Sequence, residues 1–163
     1  MVSRVRAPNL LKLLFVLFSV LLLTPAIALA ANDTPNSATS LSVSNSSVSS
    51  TLVGNTGGAY HYYTFHYQGG NAPVLVTLNY QPAFGGGNQA FGFNLYGPSG
   101  INYAGQVTGT SGSAATAQYT IATSSALDLL VQVYNYTAGG SVNYTLTISG
   151  LSGGSNTAVV ATN

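Results

Sequence analysis

The sequence predicts an all-β protein, an antiparallel β-sandwich of about eight or nine strands with a jelly-roll-like arrangement, preceded by an N-terminal signal helix. Three observations support this fold class. Short segments after residue 40 alternate apolar and polar residues, which is typical of half-buried strands. Turns rich in Gly, Pro and Asn separate these segments, and no amphipathic helix pattern follows the signal. We therefore expect a signal peptide at 1–30, a flexible lead-in at 31–40, a sandwich domain at 41–150 and a flexible tail at 151–163.

The first thirty residues have the pattern of an export signal. A basic start precedes an apolar run at 13–23, and Pro25 follows it. The small residues expected at the cleavage site are Ala28, Ala30 and Ala31. The run is short for a membrane span and has no basic flank after it. We expect a secreted protein, extracellular or at the cell surface and free of the membrane after cleavage; the alternative is an uncleaved N-terminal anchor.

The chain from residue 31 onward is almost uncharged. It contains no Lys, Arg, Glu or Cys, and its only acids are Asp33 and Asp128. Nucleic-acid binding is excluded because it requires cations that replace the counterions of the phosphates. Attachment to anionic lipid is excluded for the same reason. Weak charge repulsion between copies permits self-association, and the domain must fold without disulfides.

Two short strands and a turn are predicted before an aromatic strand. Leu41 and Val43 share one face of a first strand, and a second strand runs through Val48, Leu52 and Val53. A turn at 55–58 leads to the aromatic strand at 60–67. By the period of two, its inward side chains are Tyr63, Phe65 and Tyr67, and its outward ones are Tyr62, Thr64 and His66.

The middle strands follow the same alternation. The next strand has the inward set Val74, Val76, Leu78 and Tyr80, and the one after it has Phe91, Phe93 and Leu95. A Gly-Pro-Ser-Gly turn at 97–100 precedes a weak edge strand at 101–107 and a loop at 109–113.

Three further strands complete the predicted sandwich. Their inward sets are Ala115, Ala117, Tyr119 and Ile121, then Leu127, Leu129, Val131 and Val133, and finally Val142, Tyr144, Leu146 and Ile148. The Ala-Gly-Gly segment at 138–140 predicts a hairpin between the last two.

Several of these segments, in this order, have counterparts in a known family. They are the entry segment at 32–41, His-Tyr-Tyr-Thr-Phe at 61–65, Phe-Asn-Leu-Tyr-Gly-Pro-Ser-Gly at 93–100, and the strands at 129–134 and 144–148. Together they resemble the bacterial pre-peptidase C-terminal domain family over roughly residues 32–150. The resemblance implies a non-catalytic β-sandwich that accompanies exported enzymes, some members of which bind matrix or carbohydrate polymers and some calcium. His61 and Gly97 stand where the family has aspartates, so calcium binding is not expected. No protease domain precedes the sandwich, so we expect no accessory role toward an enzyme in this chain.

The sequence offers few groups for catalysis or metal binding. Asp128 is expected to be an exposed strand carboxylate, and Asp33 in the lead-in is a poor partner for it. His61 and His66 are five residues apart, so a strand directs them to opposite faces and away from a shared metal ion. We therefore expect no enzyme activity, no metal site and no cofactor.

The tyrosines are the best candidates for ligand contact. Tyr62 and Tyr134 fall on outward strand faces, and Tyr103 and Tyr136 lie near turns. An exposed tyrosine can stack on a sugar ring or anchor a protein contact at low entropic cost. The alternative is that these rings only cover neighbouring strands. Acceptor patterns for glycosylation begin at Asn32, Asn45, Asn135 and Asn143.

Two functions agree with these patterns, and a third is weaker. The first is a secreted, non-catalytic binding or accessory module whose partner is a polysaccharide or an envelope protein. The second is a structural subunit of an extracellular fibre or surface layer that assembles through sheet edges, with the apolar residues at 158–161 as an added strand. The third is a small secreted hydrolase.

Overall fold

Ten β-strands form two facing sheets in the computed structural model, which describes residues 32–83, 90–98, 102–111 and 114–152. The strands are β1 (Thr39–Ser40), β2 (Ser47–Val53), β3 (Ala59–Tyr67), β4 (Val74–Gln81), β5 (Phe91–Tyr96), β6 (Asn102–Ala104), β7 (Gln106–Ser111), β8 (Ala114–Ile121), β9 (Leu127–Asn135) and β10 (Ser141–Ser149). The predicted signal peptide, its cleavage residues and the tail from 153 lie outside the described residues. Within those ranges, no helix combines the length and apolar character that a bilayer crossing requires.

The two sheets have the strand orders β1-β3-β9-β5-β6, here sheet I, and β2-β10-β4-β8-β7, here sheet II. From β2 to β5 each strand lies in the sheet opposite to the one before it, and β8, β9 and β10 alternate in the same way. This alternation between facing sheets is the connectivity of a jelly roll. All pairings are antiparallel except that of β1 with β3. The predicted β-sandwich is confirmed, with ten strands in place of eight or nine.

The core between the sheets consists of the alternating apolar residues that the sequence predicts. On β3 the inward residues Tyr63, Phe65 and Tyr67 are each at most 2% exposed. The inward sets predicted for β4, β5, β9 and β10 are likewise buried, apart from Leu127 at the start of β9, which packs partly buried against the core. The period of two therefore assigned the faces of these strands correctly.

The predicted hairpin between β9 and β10 is wrong, because the two strands lie in different sheets. The turn at 136–140 crosses from sheet I to sheet II and is held by Asn135, which is fully buried. The side-chain amide of Asn135 donates to the carbonyls of Leu52 and Gly140, each at 2.9 Å, and accepts from the Thr137 amide at 3.0 Å. A Gly-Gly turn permits either connection, and these contacts favour the crossing.

The entry segment also differs from its prediction. Residues 35–37 form a 3₁₀ turn, and β1 pairs with β3 where a flexible lead-in was predicted. Leu41 is fully buried, but the strand predicted through it and Val43 ends because Ser42 and Asn45 bridge a tight turn. Val43 in that turn is 54% exposed.

The weak edge strand predicted at 101–107 is two strands in two sheets. β6 pairs with β5 in sheet I and β7 pairs with β8 in sheet II, and Gly105 lies at the corner between them. The Gly105 amide donates to the Phe93 carbonyl at 3.0 Å, and a Cβ at this position would collide with the Phe93 ring. Glycine therefore permits the close approach that the corner requires. Residues 109–111, predicted as loop, belong to β7.

Candidate functional site

Aromatic and amide side chains converge on the outer face of sheet I. The strand register aligns Tyr60 of β3 with Tyr134 of β9 and Gly92 of β5. In the next outward row, Tyr62 is aligned with Gln132 and Asn94, and Tyr96 follows two residues further along β5. Three strands that are distant in sequence therefore build one continuous face.

Four tyrosine rings on this face form a contiguous cluster. The ring centroids of Tyr60 and Tyr62 are 6.1 Å apart, and those of Tyr60 and Tyr136 are also 6.1 Å apart with an interplanar angle of 85°. Tyr134 and Tyr136 lie 5.3 Å apart. These are the spacings of favourable edge and offset ring contacts. Tyr136 is the most exposed member, at 43%.

Two glycines leave the space that the cluster occupies. A Cβ on Gly92 would lie 2.7 Å from the hydroxyl of Tyr134, so this ring rests against the bare backbone of β5. A Cβ on Gly58 would meet the Tyr136 ring at 2.6 Å. Gly58 also has a φ of 89°, which glycine adopts without steric cost.

Gln132 connects the tyrosine cluster to the amide part of the face. Its side-chain nitrogen donates to the Tyr62 hydroxyl at 2.8 Å. Its side-chain oxygen accepts from the Tyr96 hydroxyl and the Asn94 amide, each at 3.1 Å. We call these residues the tyrosine–amide face: Tyr60, Tyr62, Asn94, Tyr96, Gln132, Tyr134 and Tyr136.

The predicted ligand residues differ in how far they are exposed on this face. Tyr134 and Tyr136 lie together on it, as partly buried and exposed rings respectively. Tyr62 is on the outward side of β3 but only 8% exposed, because neighbouring groups that include the Tyr60 ring and the Gln132 amide enclose it. Tyr62 therefore lies on an outward strand face, as predicted, but leaves little of its ring free for a ligand. The side chain of Tyr103 lies outside the described residues.

The phenols of Tyr60 and Tyr134 stay protonated at physiological pH. The hydrogen bond that the Tyr60 hydroxyl donates to the Tyr136 hydroxyl at 3.3 Å, followed by burial, raises the pKa of Tyr60 to about 12. Burial raises the pKa of Tyr134, with a smaller contribution from the neighbouring phenols. The face therefore offers neutral donors and acceptors and aromatic surface.

The two histidines lie on opposite faces of β3, as predicted. His66 faces outward and its Nδ1 is 2.7 Å from an Asp128 carboxylate oxygen. Asp128 is exposed, as expected, although its contact with His66 was not foreseen. His61 faces inward, where its Nδ1 is 2.6 Å from the Tyr144 hydroxyl, and burial lowers its pKa. Among the described residues no three His, Asp, Glu or Cys side chains gather as a metal site would require.

The glycosylation patterns also separate by burial. Asn135 is fully buried with its amide hydrogen-bonded, and the Asn32 amide donates to the Tyr62 carbonyl at 3.1 Å. Asn45 and Asn143 are exposed. Of the four acceptor asparagines, only Asn45 and Asn143 have a side-chain nitrogen that could carry a glycan without losing a hydrogen bond to the fold.

The fold and this face define a class, a two-sheet β-sandwich with an aromatic, uncharged cluster on the outer side of one sheet. No family model matches the chain, and no curated protein matches it. Among solved structures, the chain is similar to the pre-peptidase C-terminal domain of a collagenase from Bacillus anthracis. The two share 18% sequence identity, the match covers 72% of this chain and 100% of that domain, and the TM-score is 0.47. This is the family that the sequence motifs resemble.

Sequence reasoning missed most of the supporting residues of the face. Tyr60 is two residues from Tyr62 on the same strand, so the period of two alone could have placed it on the outward face. Asn94, Tyr96 and Gln132 lie on outward positions of their strands, but their convergence depends on which strands are neighbours. That information comes from the register of β9 between β3 and β5.

Proposed function

We propose that this protein is a secreted, non-catalytic binding module, outside the cell or at its surface, that contacts a neutral polysaccharide through the tyrosine–amide face. The observation that supports this most directly is the contiguous ring cluster, which ends in the exposed Tyr136 and adjoins side-chain amides fixed by Gln132. A polysaccharide offers apolar ring faces and hydroxyl groups, and this face presents a partner for each.

The face is suited to binding because its side chains are already held in place. Tyr60, Tyr62 and Tyr134 are packed against neighbours before any ligand arrives. Less side-chain entropy is therefore lost on association, and tyrosine carries large contact area on two torsions. The absence of charged groups in the tyrosine–amide face favours a neutral ligand over an acidic one.

The non-catalytic part of the proposal is supported by the state of the ionisable groups. The phenol of Tyr60 has a pKa raised to about 12, far from that of a general base at neutral pH. His61 is hydrogen-bonded to Tyr144 between the sheets, away from the outer faces. His66 and Asp128 pair across the outer sides of two adjacent strands, where His66 is partly buried and Asp128 is exposed.

The experiment is co-sedimentation of residues 31–163, which contain every strand of the sandwich, with insoluble neutral polysaccharides. Tyr136→Ala and Gln132→Ala should each weaken binding by about tenfold, which is about 1.4 kcal/mol. Val43→Ala, which removes exposed apolar surface from the turn after β1, should bind like the original protein. Unchanged binding in both face variants, with normal circular dichroism, would contradict the proposal. Capture of an envelope protein instead, lost in the same variants, would replace the polysaccharide as partner.

A second function, a structural subunit that assembles through sheet edges, is favoured by β2. Within the described residues β2 pairs only with β10 and forms one border of sheet II. Its sequence Ser-Val-Ser-Ser-Thr-Leu-Val contains no charge and no proline, the devices that commonly protect such edges. Thr51→Lys should abolish assembly detected by sedimentation velocity, and a strictly monomeric protein at high concentration would exclude this function.

A further inference from the structure

A second outer surface, on sheet II, contains an open depression of about 730 Å³. It crosses four strands, β2, β10, β4 and β8. The side chains that point outward from these strands into it include Ser49, Thr51, Asn79, Thr116, Asn143 and Thr145. We call these six residues the hydroxyl groove. Sheet I contributes none of them, so the groove is separate from the tyrosine–amide face.

The hydroxyl groove is ordered in rows by the strand register. One row runs Ser49, Thr145, Asn79 and Thr116 across the four strands. Asn143 belongs to the neighbouring row, and its position on β10 is two residues from Thr145. Asn79 and Asn143 are therefore diagonal neighbours on adjacent strands, at a separation of about 7–8 Å.

Each asparagine of the groove is anchored at one end. The Thr51 hydroxyl donates to the Asn143 side-chain oxygen at 2.6 Å, and the Thr116 hydroxyl donates to the Asn79 side-chain oxygen at 2.7 Å. Between these two pairs, the hydroxyls of Ser49 and Thr145 are 2.8 Å apart. The threonines fix the amide planes and leave both NH₂ groups at the exposed surface.

These amide groups retain hydrogen-bonding capacity for a ligand. Each NH₂ group has two donors, and within the described residues the side-chain nitrogens of Asn79 and Asn143 have no protein partner. Both residues are exposed, so these donors are accessible to solvent water. A ligand hydroxyl can replace that water with little rearrangement, because the threonine anchors already hold the amides.

We propose that the hydroxyl groove binds a single chain of a neutral glycan. Sugar hydroxyls both donate and accept, which matches a surface of amides and hydroxyls with neither charge nor large apolar side chains. An acidic polymer would find no cation among the six residues. A depression of this size accommodates one chain, whereas the flat surface of a crystalline polymer would span it without contact at its base.

The position of the groove gives the protein two binding surfaces that face away from each other. The tyrosine–amide face is the outer side of sheet I and the hydroxyl groove is the outer side of sheet II. A molecule occupied on both sides connects two polymer chains. The groove is inferred from its own contacts and does not rest on the function proposed for the tyrosines.

The test is an NMR titration of ¹⁵N-labelled residues 31–163 with neutral hexasaccharides of glucose and of N-acetylglucosamine, and with an acidic oligogalacturonate. With one of the neutral probes, we expect amide shifts in β2, β4, β8 and β10. The double variant Asn79→Ala and Asn143→Ala should bind at least tenfold more weakly. Thr51→Val, which keeps the shape but removes one anchor, should show a smaller loss, and all variants should keep the urea midpoint of the original protein.

Tyr136→Ala separates this inference from the proposed function. It should leave groove binding unchanged, while the double groove variant should still sediment with any insoluble polymer that the tyrosine–amide face binds. The inference is overturned if shifts are confined to sheet I, if none of the neutral probes binds, or if the acidic probe binds as well as they do. The inference would also be overturned if the amide shifts at the groove appeared only when a peptide or a second copy of the chain bound there.

Discussion

Replacing Asn135 by alanine should strongly destabilise the sandwich, although the residue lies in neither of the two proposed binding surfaces. Asn135 is the one buried polar residue among the described residues, and its amide makes three hydrogen bonds around the turn from β9 to β10. Two of them reach carbonyls of Leu52 and Gly140, so the side chain joins the end of sheet I to the edge of sheet II. Its removal therefore affects the contact between sheets and not only a local turn.

The expected loss follows from what each partner retains. Gly140 still accepts from the Gly54 amide at 2.9 Å, so the loss of its second bond costs about 1 kcal/mol, and the bond to Leu52 costs about the same. The Thr137 amide loses the side-chain oxygen that it donates to at 3.0 Å, and an unsatisfied donor in this half-buried turn costs about 1 kcal/mol. We expect Asn135→Ala to lower the free energy of unfolding by about 3 kcal/mol.

The assay is urea unfolding of residues 31–163, followed by far-ultraviolet circular dichroism and tyrosine fluorescence. The control is Asn143→Ala, which removes the same amide from an exposed position and should change stability by no more than about 0.5 kcal/mol. The slope with denaturant should be equal in all three proteins. A loss below about 1 kcal/mol for Asn135→Ala would refute the view that this amide holds the crossing between the sheets.

Three further predictions concern single contacts. Gly92→Ala brings a Cβ to 2.7 Å from the Tyr134 hydroxyl, so we expect the end of that ring to move from its packed position and polysaccharide co-sedimentation to weaken severalfold, with little change in the urea midpoint. Gly105→Ala drives a Cβ into a fully buried phenylalanine ring, so unfolding should become easier by about 1–3 kcal/mol, measured by urea unfolding against Gly57→Ala. Burial lowers the pKa of His61 below its unfolded value near 6.5, so the folded state binds fewer protons; stability should be full above about pH 6.5 and decline as pH falls toward the lowered pKa. His61→Gln should flatten that decline in urea midpoints between pH 7.5 and 5.5, and an unchanged decline would show that other groups cause it.

Much of the fold could be predicted because one physical rule governs most of the strands. A strand with one face in the core must alternate, and β3, β4, β5, β9 and β10 do so with large apolar residues. The alternation identifies the inward face but not the neighbouring strand. The turn between β9 and β10 contains Gly139 and Gly140 and suits a hairpin, yet the contacts of Asn135 take the chain to the other sheet. Those contacts involve Leu52, more than eighty residues earlier, and no local pattern contains them.

The candidate surfaces were less predictable for the same reason. Tyr134 could be selected from its outward strand position, and Tyr136 from its place near a turn. The burial of Tyr62 could not, since it depends on Tyr60 beside it and on Gln132 from the neighbouring strand. The hydroxyl groove was missed because Ser, Thr and Asn on outward positions look like ordinary solvated residues. Only the register shows that threonines lie where they anchor asparagines on the next strand.

The near absence of charge places the same constraint on both outer faces, and each face meets it in a different way. With few ion pairs available, exposed side chains can be held in place only by packing or by neutral hydrogen bonds. Sheet I relies mainly on packing, with rings in contact and Gly92 making room for Tyr134, and adds the hydrogen bonds of Gln132. Sheet II uses cross-strand hydroxyl and amide pairs such as Thr51 with Asn143. Because neutral contacts of both kinds depend little on ionic strength, binding at either face should persist at high salt, where charge-based binding would be screened. Loss of polysaccharide co-sedimentation between 0.05 M and 1 M sodium chloride would contradict this reasoning for the tyrosine–amide face, and loss of the NMR shifts over the same range would contradict it for the groove.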